Sequence, residues 1–140
     1  MTHIAFYVGQ SSSLHARLLL ACKLVEKAWA RALPTHIHTD SAATSEQLND
    51  LLWTYNDTSF IPHAIMPCQD SNLSIHISHA EQPLENKRFL INLSNSVPDF
   101  FTRFERMAEV IDQETAILSA GRKRYQFYRH NGYTLDYHQL

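Results

Sequence analysis

"HIAFYVGQSSSL", residues 3–14, decides how the rest of the chain is read. Its first seven residues are short, apolar and aromatic and stop at Gly9, which predicts a buried first strand. The serines that follow offer N-caps. From Leu14 to Ala32 the apolar positions Leu18, Ala21, Cys22, Val25, Trp29 and Ala32 recur at helical spacing. Pro34 closes that helix, because the residue before a proline is pushed out of the α region. A strand running into a helix is where many α/β enzymes hold phosphate, with glycines at fixed offsets. Here Gly9 is the only glycine before position 121, and neither GxGxxG nor GxxxxGK[ST] occurs.

The same alternation continues outward. "THIHTD" (35–40) predicts a second strand. "SAATSEQLNDLLWTY" (41–55) predicts a second helix, with Thr44 to Gln47 resembling a capping box and a stripe of Leu48, Leu51, Leu52 and Tyr55. "NDTS" (56–59) ends it. "LSIHIS" (73–78) and "RFLINLS" (88–94) predict strands, and "SVPDFF" (96–101) a short helical turn with Pro98 near its start. "FERMAEVID" (104–112) is compatible with helix or strand, and strand is preferred. "QETAILSAGRKRYQFYRHN" (113–131) predicts a final helix, stopped by Asn131-Gly132 as a left-handed cap. The expected fold is α/β, with a mostly parallel sheet flanked by helices and no phosphate-binding loop.

The totals agree with a packed domain. The chain has 140 residues, 44% hydrophobic and 19% charged, with three Gly and five Pro, so residues 1–140 are expected to form one domain. A net charge of −2 argues against a surface that binds nucleic acid all over. The two cysteines, Cys22 and Cys68, form no CxxC; Cys22 lies in an apolar run and is expected to be a buried free thiol. The opening "MTHIAFYVGQ" lacks a basic n-region, and no apolar run is long enough to cross a bilayer. A soluble cytoplasmic protein is the expectation.

Catalytic chemistry finds no foothold in the pattern. There is no GxSxG elbow, and neither cysteine stands at a telling distance from a base. His36 and His38 share one face of the second strand, and His76 and His79 lie three apart. Zinc needs three or four converging ligands, and these pairs have no HExxH and no cysteine at ligand spacing. They read as structural or surface histidines, with no metal or cofactor expected.

The final helix holds the main chemical signal. Four of the twelve Lys and Arg residues fall within positions 122–129, interleaved with Tyr125, Phe127 and Tyr128. At about 100° per residue, Leu118, Tyr125, Gln126 and Arg129 lie within about 60° of Arg122. Ile117, Ala120, Phe127 and Tyr128 fall opposite and form the expected core face. Arg124 points to the core side and Lys123 to solvent. Two readings of the stripe stand together. It is either a solvated face whose cations complement the helix C-terminus, or a site where an arginine fork grips an anion beside an aromatic wall. The second reading fits an acidic peptide with a free C-terminal carboxylate, and equally single-stranded nucleic acid stacked on Tyr125. A second patch, in "LLWTYNDTSFIPHAI" (51–65), puts Trp53 near the loop residues Phe60, Ile61 and Pro62; these either cap the core or anchor an interface.

Two blocks carry a resemblance. The "LW…SFIPH" block (Leu52, Trp53, Ser59 to His63) and the "R-x-RY-x-x-YR-x-x-GY" block (Arg122, Arg124, Tyr125, Tyr128, Arg129, Gly132, Tyr133) resemble the chi subunits of bacterial DNA polymerase III. Phe6, Tyr7 and "DFFTRFERMAEVID" (99–112) fit as well, and the similarity runs along nearly the whole chain. The resemblance implies a non-catalytic accessory subunit of the clamp loader, with a Rossmann-like three-layer fold. Its implied partners are the psi subunit, which joins it to the clamp loader, and the acidic C-terminal tail of single-stranded DNA-binding protein (SSB). That tail ends in an aromatic residue with a free carboxylate; DNA is touched only through SSB. By matching position, Arg122 would hold the carboxylate, with Tyr125 and Ile111 as pocket walls. Arg129 and Lys123 would attract acidic residues, and Gln126 and Gly132 belong to the same block. Phe60, Trp53 and Pro62 would face psi. Gln126 stands where chi proteins commonly carry a basic residue, which implies weaker steering of the tail.

Overall fold

The computed structural model describes residues 1–55 and 60–140. The "NDTS" break and Ser59 of the first block lie outside these described residues. The elements are β1 (His3–Val8), α1 (Leu14–Ala30), β2 (Thr35–His38), α2 (Ala42–Thr54), β3 (His63–Ile65), β4 (Ile75–Ser78), β5 (Phe89–Asn92), β6 (Arg106–Ile111), α3 (Thr115–His130) and β7 (Leu135–Gln139). A 3-10 turn, Phe101–Arg103, precedes β6. The seven strands form one sheet in the order β3-β4-β2-β5-β6-β1-β7, and every pairing is parallel. The α/β reading holds, and the sheet is wholly rather than mostly parallel.

Helices cover both faces. Leu18, Cys22 and Val25 of α1, with Leu48 and Leu52 of α2, pack with Ile37, Ile77, Ile91 and Val110 on one face. Tyr128 of α3 packs with Ile4, Phe6, Met107 and Ile111 on the other, beside Phe100, Phe101 and Phe104. The 104–112 stretch forms a strand, as preferred, over Arg106–Ile111, and that strand lies inside the sheet between β5 and β1.

Two strands went unread, β3 and β7. Both are edges of the sheet. β3 is only three residues long, and β7 leaves four of its five residues exposed, so neither needs an apolar run. β1 was expected to be buried throughout; it buries only Ile4, Phe6 and Val8, while His3, Ala5 and Tyr7 on its other face are partly exposed.

Local chemistry fixes the helix ends. Ser13 Oγ accepts from Ala16 N at 3.1 Å, capping α1. Two bonds close its other end, from Ala32 N to Trp29 O (3.0 Å) and from Leu33 N to Ala28 O (2.9 Å), with Ala32 at φ 53°. The same motif ends α3 with the residue best suited to it: Gly132 has φ 82°, and Tyr133 N bonds Tyr128 O at 3.1 Å. The capping-box reading at Thr44 is corrected. Ser41 is the cap, accepting from Thr44 N at 3.2 Å, and Thr44 sits buried in the first turn. Trp29 and Ala32, placed on the core stripe, are exposed, while Leu24 and Ala28 are buried in their place. Ala32 lies beyond the helix, which ends at Ala30, and the buried face runs through Leu18, Ala21, Cys22, Leu24, Val25 and Ala28.

Candidate functional site

α3 lies over β6 because of Gly121. A Cβ there would sit 3.1 Å from Ile111 Cγ1 and closer still to Cδ1, so a larger residue would need the Ile111 side chain to turn aside or the helix to lift. Gly121, Arg124 and Tyr128 form the buried line of the helix, and Phe127, expected in the core, is instead 45% exposed.

Arg124 and Tyr128 converge on Glu109 of β6. Arg124 Nε donates to Oε1 at 3.1 Å, Tyr128 OH to Oε2 at 2.6 Å, and Asn92 Nδ2 to both oxygens at 3.0 and 3.1 Å. Glu109 is fully buried. Burial pushes its carboxyl up, and the Arg124 guanidinium with the Tyr128 and Asn92 donors pulls it back. The Tyr128 hydroxyl is raised, by burial first and then by the adjoining carboxylate. This network glues helix to sheet and is closed to solvent.

The opposite side of α3 is open. A cavity of about 360 Å³ lies between the helix and the sheet edge. Phe6, Val8 and Ile111 form its floor, Leu118 and Gly121 its inner wall, and Arg122, Tyr125 and Gln126 its rim on α3. Tyr137 of β7 closes the remaining side. Tyr125 is wedged edge-on between aromatic neighbours, with ring centroids 5.2 Å from Phe6 and 6.3 Å from Tyr137. Arg122 is exposed, and no ion pair holds it among the described residues. A free guanidinium therefore stands at the mouth of an aromatic, apolar hole.

Of the residues singled out for this site, the cavity gathers Ile111, Arg122, Tyr125 and Gln126. Arg129 is exposed on the last turn of α3, outside the lining. Lys123 borders a separate shallow groove with Val97, Ala116 and Phe127. Gly132 acts as the helix cap described above. Phe6, Val8, Leu118, Gly121 and Tyr137 were not singled out. Phe6 and Val8 alternate on a strand already recognised, so the period of two held that signal. Tyr137 carried none, because its strand had not been seen.

The second patch is at the other edge of the sheet. Trp53 is 47% and Phe60 69% exposed, with ring centroids 5.2 Å apart. His63 continues the cluster, 4.3 Å from Trp53, its ring nitrogens against the carbonyls of Ile61 and Asn49. Ile61 is buried, contrary to its grouping with exposed loop residues, and pins the segment so that Phe60 faces out. Pro62 is half-buried. β3 and β1 are five strand spacings apart, about 24 Å. The two patches are therefore separate surfaces.

Of the paired histidines, His36 and His76 are interior, His38 is partly buried and His79 is exposed. His36 and His76 face each other in register across β2 and β4, both fully buried, and His36 packs edge-on against Phe100 at 5.5 Å. Burial, with lesser help from nearby cations, lowers His36 to about 3. Among the described residues no three His, Cys, Asp or Glu side chains converge as metal ligands would. Cys22 is a buried free thiol, pushed up to about 12 by desolvation. No helix among the described residues is long and apolar enough to cross a membrane.

Residues 1–136 match the family described as DNA polymerase III chi subunit, HolC. The chain belongs to that family. It is 36% identical over 140 residues to the DNA polymerase III subunit chi of Pseudomonas aeruginosa, covering all of this chain and 98% of that one. It is also similar to the chi subunits of Haemophilus influenzae, at 26% identity over 84% of this chain and 83% of the relative, and Escherichia coli, at 24% over 97% of each. Membership makes it an accessory subunit in DNA replication. A solved structure titled "The crystal structure of T4 UvsW" superposes with a TM-score of 0.71 at 10% identity, over 99% of this chain and 41% of that one. That likeness concerns the fold alone.

Proposed function

We propose that this chain is a non-catalytic adaptor of the DNA polymerase III holoenzyme, holding the acidic C-terminal tail of SSB at α3 and the psi subunit at the Trp53–Phe60 patch. The observation that carries the reading is Arg122, unpaired and exposed, at the rim of a cavity walled by Tyr125 and floored by Phe6 and Ile111. Such a site suits a terminal carboxylate attached to an aromatic side chain: the guanidinium takes the charge and the cavity takes the ring. With a net charge of −2, attraction for an acidic tail must be local, and Arg122, Lys123 and Arg129 are all exposed on this one helix. Gln126 on the rim contributes no charge, so steering is weaker than a basic residue would give.

The psi assignment rests on the exposed Trp53–Phe60 pair, an aromatic anchor of the type that dominates interface energetics. The wide separation of the two patches lets one molecule hold both partners at once, in the cytoplasm where replication occurs.

The test is a calorimetric titration of the full chain with an SSB-tail peptide and with the same peptide lacking its terminal phenylalanine. Saturable binding of the first and loss of affinity for the second is the expected outcome. Equal binding of both would remove the cavity from the site.

A further inference from the structure

The face of the sheet opposite α3 carries a second depression, which the adaptor reading leaves unused. The strand register sets Ala108 of β6, Ala5 of β1 and Asp136 of β7 side by side on this face. Two alanines make a low floor. In the next row Tyr7 and His138 stand in register and stack, with ring centroids 4.9 Å apart and planes 17° from parallel. α1 forms another wall, through Lys27, Ala28 and Arg31, and Arg106 lies at the rim. The enclosed space is about 280 Å³.

Charge on this wall is organised. Lys23, Lys27 and Arg31 follow one another at four-residue spacing and are all exposed, a ridge about 12 Å long on one side of α1. No ion pair engages Lys27, Arg31 or Arg106 among the described residues. Of the nearby acids, Asp136 is held by His3 at 2.7 Å and Glu105 by Arg88 at 2.7 Å, and Glu26 lies beside Lys27 on α1.

We propose that this groove binds single-stranded nucleic acid directly, with a base against the Tyr7–His138 stack over the alanine floor and phosphates along Lys23, Lys27 and Arg31. Stacked rings beside spread cations are the recurring equipment of single-strand grooves. A peptide of carboxylates alone brings no ring to the Tyr7–His138 stack, whereas each nucleotide of a single strand brings a phosphate and a base together. A free mononucleotide is disfavoured by α1 itself. The helix brings its C-terminal half to the groove, so its dipole opposes a concentrated phosphate, and the attraction must come from side chains spread along a chain of phosphates. The strand would run on the sheet face opposite the Arg122 cavity, leaving that cavity free.

The experiment is fluorescence anisotropy of a labelled oligothymidylate with the full chain at low salt. Binding should weaken with salt, with a log–log slope of about −0.7 for each phosphate engaged. The Lys27→Glu/Arg31→Glu double variant should lose tenfold or more in affinity. His138→Ala should lose about fivefold to a hundredfold through lost stacking, while Arg122→Ala should bind as the parent does. Circular dichroism verifies that each variant is folded; all four substitutions are at exposed positions. The proposal is overturned by absence of salt-dependent binding. It is equally overturned by loss of binding in Arg122→Ala with the double variant unaffected, by equal affinity for thymidine monophosphate, or by tighter binding of polyglutamate.

Discussion

Arg122 and Arg124 are two residues apart on one helix and have opposite fates. Two residues of α-helix turn the side chain by about 200°. Arg124 is 4% exposed and bonded to Glu109; Arg122 is exposed, without an ion-pair partner among the described residues, at the mouth of a cavity. The aromatics divide the same way. Tyr128 is fully buried with its hydroxyl on Glu109, while Tyr125 walls the open pocket. A basic, aromatic stretch that looks uniform in sequence is thus two populations, one building the fold and one left open to solvent. Each prediction below either breaks one population and spares the other, or asks where the line between them runs.

Glu109→Ala should be the most damaging change. It leaves the Arg124 guanidinium buried without its carboxylate and removes the acceptor of Tyr128 and Asn92. Breaking a buried pair from one side typically costs about 3–5 kcal/mol, readable as a lower denaturant midpoint. Loss below about 1 kcal/mol would mean that the network is not a principal tie between α3 and the sheet.

Arg122→Ala is the mirror experiment. Stability should stay within about 0.5 kcal/mol, as at other exposed positions. Affinity for the SSB-tail peptide should fall by at least about 2 kcal/mol, roughly thirtyfold, if Arg122 is the anchor. Unchanged affinity by calorimetry would strip the exposed population of its assigned purpose.

Phe60→Ala tests whether the exposed surface has a second, independent part. Loss of about 2 kcal/mol in psi binding is expected, with tail affinity intact because the sites are on opposite edges of the sheet. Co-purification of psi with the variant at parental yield would contradict the assignment.

The interior population should also be the acid-sensitive one. His36 is fully buried with both ring nitrogens unpartnered, and burial lowers it from 6.5 to about 3. Its folded form resists a proton that the unfolded chain accepts. Its contribution to stability is therefore intact above pH 6.5 and is lost progressively as pH falls from there toward 3. His38 and His76 shift the same way, burial again being the largest cause. His36→Leu should move the acid-unfolding midpoint to lower pH, recovering about 1–2 kcal/mol near pH 5. An identical acid transition would show that His36 is not a source of the lability.

What could be read from the sequence follows from how each feature is encoded. Among the interior strands, β5 is an apolar run, β2 and β4 alternate, and β6 has a mixed pattern for which strand was preferred over helix; α1 and α3 have helical periodicity and end signals, so the alternating order and the parallel sheet were legible. The edges were not: β7 is polar because only backbone pairing with β1 is asked of it. That omission propagated to the site. Arg122, Tyr125 and Gln126 share a helix face and could be grouped by angle, and Ile111 came only through the family resemblance. Tyr137 depended on the unseen strand, and Gly121 gave no sign that its missing side chain lets α3 approach Ile111. Phe127 shows the reverse error: helical angle placed it opposite Arg122, but the 93–104 segment covers only part of that flank, and its ring meets Phe101 at 6.5 Å from the outside.

Gly121→Ala places the smallest perturbation on the line between the two populations, where opposing effects nearly cancel. Alanine is favoured over glycine inside a helix by about 1 kcal/mol. The added methyl, however, would collide with the Ile111 side chain. Overpacking in a closed core costs about 1–3 kcal/mol, but the end of Ile111 borders the cavity and has space to turn into. Net stability should therefore change by less than about 1 kcal/mol, while the displaced Ile111 fills part of the pocket. Tail-peptide affinity should fall several-fold, less than for Arg122→Ala, because the carboxylate contact survives and only the space for the aromatic ring shrinks. A stabilised variant with full tail affinity would show that Ile111 turns away from the cavity, and the pocket wall would then have to be drawn through Phe6 and Tyr137 instead.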